Sequence, residues 1–284
     1  MSQGWHHERL YDHWQQSFLV TKELHRSEGG LQEIGLFETP GFGRVLTLDG
    51  VIQVTTGDEF IYHEMLAHVP IYAHGAVRTA CVVGGGDGGM LREILKHPGV
   101  EHAVVVEIDG GVVDFCRQYL PTVSAGAFDD SRAEVVIADG VEFMRATSRR
   151  FDLIVVDSTD PIGPGEVLFT ESFYKDCARC LTGEGIVVNQ NGVPFLQGQE
   201  VTDTYRRRKP HFADVGYYLA AVPTYVGGFM ALGWASKSAR PRAETLEAIR
   251  SRFERDPIPT RYYTPEIHKA SFALPKFVQD LIRD

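Results

Sequence analysis

An α/β fold, with a doubly wound and mostly parallel sheet behind a small antiparallel β domain, is predicted by three features of this 284-residue chain. From Thr79 onward, short apolar runs alternate with helical stretches, the pattern of units that build a parallel sheet. One run, in FDLIVVDSTDPIGPGE from Phe151 to Glu166, is apolar enough to be buried on both faces before it ends at Asp157. Residues before 60, by contrast, carry runs rich in β-branched side chains, punctuated by glycine.

The elements follow in order. SFLVTKELH (17–25) alternates loosely, and LQEIGLFE (31–38) follows a Gly29–Gly30 turn. RVLTLDGVIQVT (44–55) is two short strands around Asp49–Gly50, a type I′ hairpin signal because both central residues must take positive φ. Phe42–Gly43 marks another turn. At Asp58 the period changes: Phe60, Ile61, Met65, Leu66 and Val69 recur at helical spacing, with Asp58 as the N-cap. TACVVGGGDGGMLREILKH reads as strand, glycine loop and helix, with Leu91, Ile94 and Leu95 on the buried face. AVVVEID with VVDFCRQYL, then EVVIADG with EFMRAT, repeat the strand–helix unit. After the Phe151 strand come a helix in ESFYKDCARCL and a strand in GIVVNQNG. GYYLAAVPTY and GGFMALGWAS, joined at Gly227–Gly228, suit an antiparallel pair at one sheet edge, and AETLEAIRSRF and KFVQDLIRD close the chain as helices. The expected division is a β domain at 1–60 and a Rossmann-like domain at 61–284, with no clean linker between them.

Composition narrows the function. A net charge of −10 argues against a nucleic-acid binder, which needs a basic face for phosphates. No apolar run approaches a membrane span. The start, MSQGWHHERL, has no apolar leader segment, so the cytoplasm is expected. The four cysteines lack a disulfide-framework spacing, and Cys177 with Cys180 forms a lone CxxC inside a helix, which reads as core. His6–His7 reads as surface, and the basic run Arg206 to Lys209 as a solvated face.

Chemistry gathers at the carboxyl ends of the strands, where ligands bind in open α/β sheets. Asp157 and Asp160 leave the Phe151 strand three residues apart, and Pro161, Gly163, Pro164 and Gly165 suggest a loop closing over a ligand. Gly84, Gly86 and Gly89 fit G-x-G-x-x-G, and Glu107, 23 residues after Gly84, is placed to bind ribose hydroxyls. Asp87 changes that reading, because a carboxylate at the helix start would repel a pyrophosphate. Asp139, followed by Gly140, can take an adenine amino group. Asp87, Glu107, Asp139, Asp157 and Asp160 then crowd one edge. No His or Cys is expected among them, so organic cations fit better than a metal: a sulfonium nucleoside and an amine. The class I methyltransferase architecture fits, but the motif leaves the transferred group open. A small-molecule methyltransferase and a non-catalytic nucleoside-binding subunit both stand as alternatives. Tyr62, His63 and Tyr225 read by themselves as readily as packed residues, and Gln190 and Asn191 at a strand end are undecided between site and turn.

Six blocks in order resemble the polyamine aminopropyltransferases, in particular the bacterial spermidine synthases: DGVIQVTTGDEFIYHEML (49–66), GGGDGG (84–89), VEID (106–109), ADG (138–140), DSTDPIGP (157–164) and PTYVGG (223–228). The resemblance runs to about Pro275. It implies transfer of an aminopropyl group from decarboxylated S-adenosylmethionine, a co-substrate, to putrescine, with no cofactor and no metal. It puts Gln32 and Pro164 at the nucleoside, Glu107 on the ribose, and Asp139 with Gly140 on the adenine. Asp87 holds the donor's amine. Tyr62, His63, Asp160 and Tyr225 line the diamine groove, and Asp157 is the proton acceptor. Some members carry Gln at the position of His63, so the diamine's length is left open. No nucleic acid or membrane partner is implied, and the N-terminal strands are expected to form a homodimer or homotetramer.

Overall fold

The computed structural model describes residues 4–8, 10–27, 32–159 and 163–283. The Gly29–Gly30 turn and Asp160 with Pro161 therefore lie outside the described residues. Strands β1 (Gly4–His7) and β2 (Ser17–Val20) form an antiparallel pair, and β3 (Lys22–Ser27), β4 (Ile34–Thr39), β5 (Gly43–Leu48) and β6 (Val51–Thr55) a four-stranded antiparallel sheet. Asp49 and Gly50 take φ of 51° and 79°, the double positive φ of a type I′ hairpin. Alternation along this sheet buries both of its faces. Phe37, Val45 and Ile52 pack with Phe18, whereas Leu36, Leu46 and Val54 pack against Val112, Phe115 and Cys116 of the α/β part. His7 is exposed as expected, but His6 is half-buried, its ring 4.8 Å from that of Phe37.

Helix α1 (Glu59–His74) follows. Every residue from Ile61 to His74 is buried, so it is a core helix rather than an amphipathic surface one. Gly75 ends it in the left-handed region, its N–H bonded to the Ile71 carbonyl at 2.9 Å. Asp58 stands at the N-cap, but its carboxylate does not cap the helix. It accepts instead from Thr55 Oγ1 at 2.6 Å and from the N–H of Thr224 at 2.7 Å, tying the end of β6 to the loop that carries Tyr225.

The main sheet has β7 (Thr79–Gly84), β8 (His102–Glu107), β9 (Ala133–Ile137), β10 (Phe151–Asp157), β11 (Leu181–Gln190), β12 (Asp214–Ala220) and β13 (Met230–Ser236). Their order is β12-β13-β11-β10-β7-β8-β9. The five strands from β11 to β9 run parallel, and β12 and β13 add an antiparallel edge, as the two late β-rich runs predict. Leu153 to Val156 are buried on both faces of the sheet. Helices α2 (Gly89–Leu95) and α3 (Gly110–Tyr119) follow β7 and β8. The chain winds from β7 out to β9 and returns at β10 beside β7, so the topological switch lies between β7 and β10.

Two readings need correction. Arg208 is fully buried in a helix, Gly198–Arg208, that the sequence reading did not include. Its guanidinium lies 4.7 Å from the Tyr217 ring centroid and donates to Asn189 Oδ1 at 3.2 Å, so the basic run is not wholly solvated. The loop expected at Pro161 to Gly165 gives way, from Gly163 on, to a 3₁₀ helix, Gly163–Phe169. Cys177 and Cys180 are buried free thiols in the core. No helix among the described residues is long and apolar enough to cross a membrane.

Candidate active site

At the switch point, Gly84 pairs with Asp157 across the two strands, and the Gly85 N–H donates to the Asp157 carbonyl at 2.9 Å. Gly84 has φ of +85°, and a Cβ there would lie 2.1 Å from that carbonyl oxygen. Only glycine lets the loop come this close while turning back toward α2. The result is a cavity of about 380 Å³ above the strand ends, walled on its far side by Leu46, Leu48, Gln53 and Val54 of the N-terminal sheet.

One half of the cavity is lined by Gln32, Glu107, Ile108, Asp139 and Gly140. Glu107 ends β8 and accepts from the Asp109 N–H at 3.0 Å. Burial raises its pKa, with backbone N–H groups opposing. Asp139 is exposed and caps the helix Gly140–Ala146, its Oδ1 accepting from the N–H of Val141 at 2.7 Å and of Glu142 at 3.2 Å. Gly140 lets that helix start against β7, since a Cβ would fall 2.5 Å from Val83 Cγ1.

The other half carries Asp157, Tyr62, His63, Asp87 and Tyr225. Tyr62 donates its hydroxyl to Asp157 Oδ1 at 2.6 Å. Burial first, then the neighbouring Asp157, keeps that phenol protonated far above its usual range. Tyr225 packs edge-on against Tyr62, with ring centroids 5.8 Å apart, and donates to the Gln53 carbonyl at 2.6 Å. Burial and the nearby Asp87 raise the pKa of Asp157 to about 6, against the lowering effect of His63 and the Tyr62 hydrogen bond.

The expectation that no histidine joins the acids is overturned. His63, Asp87 and Asp157 present side-chain atoms within 4.8 Å of one another, because α1 turns His63 inward over the glycine loop. Burial alone would lower the His63 pKa, but Asp87, Glu59 and Asp157 outweigh it and raise it to about 9. At neutral pH the group is an imidazolium between carboxylates. The ring thus offsets part of the negative charge that Glu59, Asp87 and Asp157 bring to this half of the cavity.

Nine expected site residues thus line one cavity: Gln32, Tyr62, His63, Asp87, Glu107, Asp139, Gly140, Asp157 and Tyr225. Asp160 lies outside the described residues, and Pro164 falls within the Gly163–Phe169 turn. Gln190 lines the cavity, whereas Asn191 is buried behind it, bonded to Thr204 and Glu200. Sequence reasoning missed Glu59 and Glu8. Glu59 lies one helical turn before His63, a spacing that could have flagged the pair. Glu8, also at the cavity and accepting from the Ile52 N–H at 2.9 Å, sits in a polar stretch with no pattern to mark it.

Comparison with known proteins agrees with the geometry. Residues 59–245 match the spermine/spermidine synthase domain, and residues 4–56 the spermidine synthase tetramerisation domain. A polyamine aminopropyltransferase of Ruegeria sp. (strain TM1040) is 56% identical over 277 residues, 98% of each chain. A crystal structure of a spermidine synthase in complex with the transition-state analogue AdoDATO superposes with a TM-score of 0.93 at 38% identity, covering 99% of this chain and 96% of that one. The spermidine synthase of Thermotoga maritima gives 0.90 at 36% identity, with 99% and 95% covered.

Proposed function

The chain belongs to the spermine/spermidine synthase family of polyamine aminopropyltransferases, and on that premise we propose that it transfers the aminopropyl group of decarboxylated S-adenosylmethionine to putrescine, giving spermidine and methylthioadenosine. The observation that carries the reading is Asp157: a shielded carboxylate at the switch point, hydrogen-bonded to Tyr62 and raised to about 6.

The reaction needs an uncharged amine. Unshifted, a proton moving from an alkylammonium near 10.4 to a carboxylate near 3.9 costs roughly 9 kcal/mol at 1.36 kcal/mol per unit. Raising Asp157 to about 6 removes roughly 3 kcal/mol of that. A sulfonium held beside the amine lowers the amine's own pKa. Asp157 takes the proton, and the amine nitrogen attacks the methylene beside sulfur. The carbon–sulfur bond breaks with its electron pair passing to sulfur, which leaves as the neutral thioether. Holding both reactants in line supplies much of the remaining rate.

In this reading Gln32, Glu107, Asp139, Gly140 and Pro164 bind the nucleoside, and Asp87 binds the donor's ammonium. Tyr62, His63, Asp160 and Tyr225 form the diamine groove. The cavity lining supports these roles for all of them but Pro164 and Asp160. We take the domains as 1–60 and 61–284, and the chain as a homodimer or homotetramer through its N-terminal strands, where Trp5 and Trp14 are exposed. Light scattering on purified protein tests the assembly.

The deciding experiment is product analysis by mass after incubation with decarboxylated donor and a panel of diamines. Spermidine and methylthioadenosine are expected, with putrescine preferred. S-adenosylhomocysteine formed from ordinary S-adenosylmethionine, or preference for a longer diamine, overturns the assignment.

A further inference from the structure

His63 is gripped from several sides. Its Nδ1 lies 2.6 Å from Oε2 of Glu59, one turn back on α1, and its Nε2 lies 3.6 Å from Oδ2 of Asp87 on the glycine loop. Arg92 of α2 fixes Glu59 in turn, its Nη1 and Nη2 donating to Oε1 and Oε2 at 3.0 and 2.8 Å. The same guanidinium donates to Glu93 Oε1 at 2.7 Å and to the Val123 carbonyl at 2.5 Å. The Tyr62 ring stands edge-on to the imidazole at 5.3 Å, and a Cβ on Gly89 would lie 2.2 Å from His63 Cε1. Asp157 is a further charge near the ring. At 2% exposure the ring is enclosed, with a carboxylate close at Nδ1 and a second one an ångström farther off at Nε2.

We propose that Glu59 is a positioning residue of the amine site: it accepts from Nδ1–H of His63 and so leaves Nε2 as the nitrogen that gains or loses a proton toward the cavity. This rests on the aminopropyltransferase reading above. An ionised carboxylate can only accept, so Nδ1 keeps its hydrogen in every charge state of the ring. The neutral ring is then the Nδ1–H tautomer, with its lone pair on Nε2. In the empty cleft Nε2–H faces Asp87. When the donor's ammonium takes Asp87, the attraction that held this proton is replaced by like-charge repulsion, and the proton passes to solvent. One positive charge enters as another leaves, so the cleft is spared an imidazolium against an ammonium.

Donor affinity should therefore rise with pH below the His63 midpoint, by up to about tenfold per unit for one released proton. Between about pH 7 and 8.5 Asp157 is already ionised, so the slope there belongs to His63.

The test is nitrogen-15 NMR of histidine-labelled full-length enzyme, with His63 assigned by its absence in His63→Gln. The expected ring titrates near pH 9, and its neutral form carries hydrogen on Nδ1. In Glu59→Gln the midpoint should fall by more than about one unit. A neutral ring protonated on Nε2, or an unchanged midpoint in the variant, overturns the proposal. The wild-type tautomer decides the matter even if the variant misfolds. Calorimetry of decarboxylated donor binding at pH 8, in buffers of different ionisation enthalpy, should show close to one proton released by wild type and about half a proton or less by Glu59→Gln. Tight binding without release defeats the proton exchange. Absence of donor binding defeats the functional reading and the exchange with it, while the NMR result stands by itself.

Discussion

Asp157 has to be a carboxylate to take a proton and has to be shielded to want one, and its position at the end of β10 meets both demands. Asp157→Asn keeps an oxygen for the Tyr62 hydroxyl but removes the base, so turnover should fall by ~10²–10⁴. The acid limb of kcat/KM in the wild type should lie near pH 6 and be missing from the variant's residual activity. Asp87 discriminates between donors by sign. A charge pair at about 4 Å is worth about 4 kcal/mol at an effective dielectric near 20, attractive for an ammonium and repulsive for the extra carboxylate of ordinary S-adenosylmethionine. Asp87→Asn should therefore weaken the decarboxylated donor far more than the ordinary one; equal losses in steady-state KM would remove the charge argument. These acids were legible in the sequence because each ends a strand or sits in the glycine loop. The place of His63 among them came only with the family resemblance, since it depends on which face of α1 turns toward that loop, and a helix buried on all sides gives no apolar stripe to orient it.

At the scale of elements, the start of α2 shapes the site as much as any side chain. Gly89 is its first residue, and alanine is the better helix former by about 1 kcal/mol, so Gly89→Ala should leave the helix intact. The new methyl would fall 2.2 Å from the His63 ring. The ring must move by about an ångström, and a misplacement of that size costs ~10²-fold in kcat/KM. The expected outcome is an unchanged circular dichroism spectrum with activity lost; full activity would mean that the ring's position is not critical. The strand–loop–helix order here was readable because apolar runs and glycines mark it. The helix Gly198–Arg208 was not, because its buried residues are Val201, Thr204 and Arg208, two of them polar, and polar burial leaves no hydrophobic period. Asp58 was placed correctly at the start of α1, yet its carboxylate serves Thr55 and Thr224, a long-range choice that capping rules do not encode.

For the whole molecule, the sequence signals the layers but not the strand order. That β7 lies between β8 and β10 is what draws Asp87, Glu107 and Asp157 toward one cavity. The price of that gathering should be visible in stability against pH. Asp157 has a folded-state pKa of about 6 against 3.8, so its ionisation costs the fold roughly 3 kcal/mol, absent below about pH 4 and fully felt above 6. Glu59 is lowered to about 2 because His63 and Arg92 outweigh its burial, so its contribution is present above pH 4.5 and lost as pH falls toward 2. Those two effects overlap and partly offset. His63, raised to about 9 from 6.5, contributes stability that is full below pH 6.5 and disappears as pH rises through 9. That window is free of the other two. About 2.5 units correspond to roughly 3 kcal/mol, or some 6–12 °C for a chain of this size. Melting temperatures at pH 6.5 and 9.5 should differ by this amount in wild type and by much less in His63→Gln. At neutral pH Asp157→Asn should melt higher than wild type while being nearly inactive, because the amide keeps the Tyr62 hydrogen bond without the partly buried charge. A wild-type melting temperature that stays level from pH 6.5 to 9.5 would mean that His63 carries no proton in the empty cleft, and the charge balance assigned to the amine half would have to be redrawn.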